Sequence, residues 1–126
     1  MPPAVDLPLS KLPDSIVLTI PTAPEFRGVA SLVLGGVGSR LDLPYERMDD
    51  LQLAVLSVLE SASGEEVTLE MGAVDGSLSL AIGPLTPGVG SDRSLATVLN
   101  RLVSGVDEIP RDGAAWLRMQ VPHEPS

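Results

Sequence analysis

The chain has 126 residues, is 44% apolar but only 2% aromatic, and sets eight Lys and Arg against seventeen Asp and Glu for a net charge of −9. A domain of that size buries a respectable core, here built from Leu, Val, Ile, Ala and Met, and its negative surface disfavours nucleic acid as a partner. With no cysteine in the chain, disulfides, thiolate catalysis and cysteine metal sites are excluded.

Met1-Pro2-Pro3 lacks the basic and apolar regions of a signal peptide. No apolar run approaches the roughly 20 residues of a membrane helix, so a cytoplasmic protein with no membrane partner is expected. Residues 1–14 hold Pro2, Pro3, Pro8 and Pro13 and read as an irregular arm ahead of a single domain over residues 15–121. Ser15 to Ile20 reads as a strand, with Ile16, Leu18 and Ile20 on one face and Val17 and Thr19 on the other.

Thr22-Ala23-Pro24-Glu25 has the spacing of a capping box, with Thr22 as cap and Glu25 as its partner. It opens a helix expected to Arg40, with Phe26, Val29, Ala30, Val33 and Val37 at helical spacing. Pro44 suits the first position of a second helix, which runs to about Ala62. Leu51, Leu53, Ala54, Val55, Val58 and Leu59 make that helix apolar around much of its circumference, as in a deeply buried helix.

Val67, Leu69 and Met71 alternate with polar residues, Asp75-Gly76 signals a tight turn, and Leu78, Leu80 and Ile82 alternate again. Glycine and proline make residues 83–93 a loop. A third helix is expected from about Ser94 to Val106, followed by a turn over Ile109 to Gly113. The last strand turns Leu117, Met119 and Val121 inward and Trp116, Arg118 and Gln120 outward. Residues 122–126 form a polar tail.

The order β-α-α-β-β-α-β implies an α/β (α+β) two-layer sandwich. Helices cover one face of a mixed sheet of four or more strands, and the other face is expected to be wet.

Two helices ahead of an Asp-Gly hairpin resemble the GHKL ATPase fold of histidine kinases and anti-sigma-factor serine kinases. The local motifs resemble the second group. Leu51-Gln52-Leu53-Ala54-Val55 resembles the L-x-L-A-V opening of its N-box helix, and Ile82-Gly83-Pro84 resembles the middle of its D-E-G-P-G turn. Ser94-Leu95-Ala96 and Asp112-Gly113-Ala114-Ala115 resemble its G-L-A and D-G-G-T segments.

In that family an N-box Glu serves as general base and an Asn as magnesium ligand. The resemblance places Ser57 and Ser61 at those positions, Ala81 at the adenine-reading Asp, and Leu85 at the last Gly of the turn. Ser57 cannot take a proton at neutral pH, Ala81 offers no hydrogen bond, and Leu85 would crowd a nucleotide. A shifted register starting from Glu60 puts Gly64 at the metal ligand and fails. The vestigial pocket would comprise Ala81, Gly83, Leu85, Gly88 and Gly90, the last two as a Gly-x-Gly loop able to line a phosphate.

No catalytic residue, cofactor or metal is therefore expected, and the resemblance implies a regulatory pseudo-kinase. Its implied partners are a sigma factor, an anti-sigma antagonist, or a second copy of itself. A nucleotide-dependent serine/threonine kinase with divergent motifs is the alternative, and a structural scaffold is a third reading. His123 has no partner at metal-ligand spacing, and Glu46, Asp49 and Asp50 read as a solvated first helical turn. Trp116 and Arg118, residue types frequent at binding hot spots, mark the sheet face as a candidate partner surface.

Overall fold

A computed structural model describes residues 15–74 and 77–122, without the side chains of Val74, Ser77 and Pro122. The arm over 1–14, the Asp75-Gly76 turn, the facing of Ser77 and the tail with His123 lie outside what is described. The elements are β1 (Ile16–Pro21), α1 (Arg27–Arg40), α2 (Tyr45–Glu60), β2 (Glu66–Val74), β3 (Ser77–Leu85), α3 (Arg93–Leu102), β4 (Gly105–Arg111) and β5 (Ala114–Pro122). Short 3-10 turns at Pro24–Phe26 and Val89–Ser91 precede α1 and α3.

The two-layer sandwich is as expected. Its sheet differs in two respects. The strand order is β1-β2-β3-β5-β4 and every pairing is antiparallel, so the sheet is not mixed. A fifth strand, β4, also occupies residues expected to be the end of a helix and a turn. Helix α3 stops at Leu102, and Val103 is already extended at φ −130, ψ 162.

The core lies between the helices and one face of the sheet. Leu69, Leu78, Leu80, Ile82, Leu117 and Met119 from the strands meet Leu34, Leu51, Val55, Val58 and Leu99 from the helices. Burying side chains of this size contributes about 1.5–3 kcal/mol each. Ile16 and Leu18 on the edge strand β1 are only half-buried against that core. Leu53 departs from the expected all-round burial of α2 and is 54% exposed.

The capping box does not form. The Thr22 hydroxyl instead donates to the Gly64 carbonyl at 2.6 Å, tying the end of β1 to the start of β2. Asp92 is the working cap, since its carboxylate accepts from the Leu95 amide at 3.0 Å and opens α3.

Candidate functional site

The two N-box positions sit at the C-terminal end of α2. Ser57 Oγ donates back to the Leu53 carbonyl at 2.9 Å, a bond within its own helix. Ser61 is exposed just beyond the helix, where its amide donates to the Val58 carbonyl at 2.9 Å. A neutral hydroxyl bonded to a backbone carbonyl, as at Ser57, takes no proton from a substrate near neutral pH.

The structure does not bring the remaining pocket positions together around these serines. Strand β3 turns Leu80 and Ile82 toward the helices, so Ala81 and Gly83 face away from them. Ala81 pairs with Glu70 on one side and Arg118 on the other, across the sheet from α2. The register shifts between Ile82 and Leu85, and the Gly83–Pro84 peptide is cis. Beyond that irregularity Leu85 points inward and is 4% exposed, filled into the helix-side core. Its side chain fills core space on the helix side of the sheet.

Gly88 and Gly90 lie in the loop after β3. Their amides converge on the Glu108 carboxylate of β4, at 2.9 Å to Oε2 and 2.8 Å to Oε1. These two hydrogen bonds hold the Glu108 carboxyl below its ordinary range, the Gly88 bond first, with slight desolvation opposing. The amides that could hold a phosphate are thus bonded to an anion of the chain itself. Sequence reasoning missed Glu108 because it lies 20 and 18 residues from its two partners, on a strand that was not anticipated.

Trp116 and Arg118 require a correction. Both lie on the outer face of β5 as expected, yet Trp116 is only 8% exposed and Arg118 only 5%. The indole rests on Gly83, where a Cβ would collide with the ring, so glycine permits the close approach. Above the indole, the Arg111 guanidinium carbon stands 4.0 Å from the ring centroid.

The same guanidinium forms a fork with Glu70 of β2, with Nη1–Oε2 at 3.0 Å and Nη2–Oε1 at 3.3 Å. Burial and then the neighbouring Arg111 cation pull the Arg118 guanidinium below its ordinary range, with Asp107 and Glu70 opposing. Over β2, β3 and β5 this face is a buried polar layer where a wet surface was expected, so Trp116 and Arg118 are not presented as exposed contact residues, whereas Val17 and Thr19 on β1 are exposed as expected.

Among the described residues, no three His, Cys, Asp or Glu side chains cluster as metal ligands. No described helix is long and apolar enough to cross a membrane. A cavity of about 350 Å³ opens between the end of α1 and the β1–β2 edge, lined by Ile16, Val37, Arg40, Leu41, Met71, Gly72 and Ala73. It contains none of the positions assigned to nucleotide binding.

No protein-family model matches the chain. The chain is similar to the serine-protein kinase RsbW of Oceanobacillus iheyensis, at 41% identity over 49 residues, 39% of this chain and 31% of that protein. Against the RsbW of Bacillus subtilis the identity is 37% over 49 residues, covering 39% and 31%. Against that of Listeria monocytogenes it is 34% over 70 residues, covering 49% of this chain and 45% of the relative. The chain therefore spans less than half the length of the curated relatives it matches. The motif resemblance thus has a partial counterpart in sequence similarity to proteins named serine-protein kinases.

Proposed function

We propose that the domain over residues 15–121 is a non-catalytic regulatory module related to anti-sigma-factor kinases, acting in the cytoplasm by binding protein and not by using ATP. Its partner would be a sigma factor or an anti-sigma antagonist, with a second copy of the chain as a further partner. The observation that carries this reading is the Glu108 carboxylate held by the Gly88 and Gly90 amides. A phosphate entering that loop would have to displace a carboxylate, without an N-box base at Ser57 or a reaching metal ligand at Ser61 to compensate.

The separation of Ala81 from α2 by the sheet supports the same reading, because the position that resembles the adenine reader faces away from the helices. The alternative, a working serine kinase with divergent motifs, is favoured by the names of the relatives. Calorimetric titration with magnesium and ATP at millimolar ligand separates the two. No heat of binding is expected. A micromolar dissociation constant, about 8 kcal/mol of binding free energy, would overturn the non-catalytic reading.

A further inference from the structure

The two edges of the sheet are defended unequally. On β4, Asp107, Glu108 and Arg111 bring charge and Pro110 removes an amide, which protects an edge strand against further pairing. On β1, Ile16 to Ile20 carries neither a charge nor a proline, and apart from Leu18 every residue is β-branched. Val17 is 51% exposed there, and Ile16 and Leu18 are half-buried.

The ladder shows which backbone groups β1 leaves open. The Thr22 amide donates to the Glu65 carbonyl at 3.0 Å, in register with the pairing of Ile20, Leu18 and Ile16 to β2. Alternation along an antiparallel ladder then turns the amides and carbonyls of Val17 and Thr19 away from β2. The hydroxyls of Thr19 and Thr68 stand 2.8 Å apart, as suits the closer side chains of a pair that exchanges no backbone bonds. Among the described residues no strand pairs with this edge.

The helix layer continues the apolar strip. Helix α1 lies over the β1 side of the sheet and α3 over the β4 side. Ser31 and Gly35 of α1 meet Gln52 of α2. Helical spacing puts Val29 and Val33 on the opposite flank, away from α2, and Val29 is 41% exposed.

We propose that a second copy of the chain pairs with β1, strand to strand and antiparallel, about a two-fold axis at Leu18. In that register the segment is self-complementary. Val17 of each copy exchanges backbone hydrogen bonds with Thr19 of the other, Leu18 meets Leu18, and Ile16 meets Ile20. A net charge of −9 makes two copies repel, and β1 brings no charge to the contact. The two-fold closes the assembly, since it uses up the edge on both copies. This rests on the reading of a second copy as a partner and gives that partner a surface.

Sedimentation velocity on the full chain is expected to show a monomer–dimer equilibrium with a midpoint of about 1 to 100 µM. Val17→Lys, at an exposed position, adds the missing edge charge and is expected to raise that midpoint about tenfold or more, with melting of the monomer unchanged. A dimer untouched by Val17→Lys overturns the edge pairing but keeps the second copy as a partner. A chain monomeric throughout overturns both.

The axis is read by Leu18→Cys, which becomes the only thiol in the chain. A cross-strand pair without backbone bonds brings its Cα atoms about 4.5 Å apart, within disulfide reach. Oxidation is expected to link two Leu18→Cys chains and to leave Asp107→Cys chains, altered on the other edge, unlinked. No link at position 18, or equal linking at both positions, overturns the proposal.

Discussion

Glu108 is solvent-exposed, yet its carboxylate accepts two amide hydrogen bonds from one loop. Those bonds favour the ionised form in the folded state, so its folded pKa lies below the unfolded one. A group shifted in that direction adds stability above its unfolded pKa and loses it as pH falls through the folded pKa. Glu108→Gln is therefore expected to lower the urea midpoint at neutral pH. The gap to the parent protein should narrow below the ordinary carboxylate range and close once Glu108 is protonated in both states. A gap independent of pH down to strongly acidic conditions would show that the amide bonds contribute nothing. The Gly-x-Gly pattern was legible in the sequence, but its occupant was not, because a contact across 18 to 20 residues leaves no local spacing to read.

At the scale of elements, the hairpin of β4 and β5 decides how the sheet ends. Its two connecting residues, Asp112 and Gly113, have φ of 54 and 80, the pair of positive values that a two-residue turn matched to strand twist requires. Asp tolerates this conformation through its short polar side chain, whereas a β-branched residue does not. Asp112→Val is expected to destabilise the protein by about 1–2 kcal/mol, and Asp112→Asn to be nearly neutral, both checked by urea denaturation.

The Asp-Gly pair was visible in the sequence, but β4 before it was not. Pro110 argues against a strand unless the strand lies at an edge, as β4 does, and Asp107 and Glu108 interrupt the apolar alternation. Edge position is a property of the assembled sheet. By contrast, α2 was readable to within two residues at each end from its periodicity, while β3 runs on to Leu85, into residues whose glycine and proline had read as loop.

Considered whole, the molecule buries one face of its sheet with aliphatic side chains and the middle of the other with Glu70, Ser79, Arg118 and the only tryptophan, while Val17 on the outer face of β1 is 51% exposed. Trp116→Ala would empty the space between Gly83 and Arg111 and leave the Arg111–Glu70 fork without its platform. A loss of about 3–5 kcal/mol is expected, as for large buried aromatics elsewhere, and thermal melting reads it directly. Unchanged melting would mean that the indole bears no structural weight and would restore it as a contact residue.

By itself, the sequence determined the layered architecture, the helix-side core and the absence of acidic or amide groups at positions 57, 61 and 81, since periodicity and residue chemistry are local properties. Only the tertiary structure decided that Ala81 and Ser57 lie on opposite sides of the sheet, that Glu108 fills the glycine loop, and that the middle of the face carrying Trp116 is covered. Strand alternation says which side of the sheet a residue takes; what comes to lie over that side depends on segments distant in the chain.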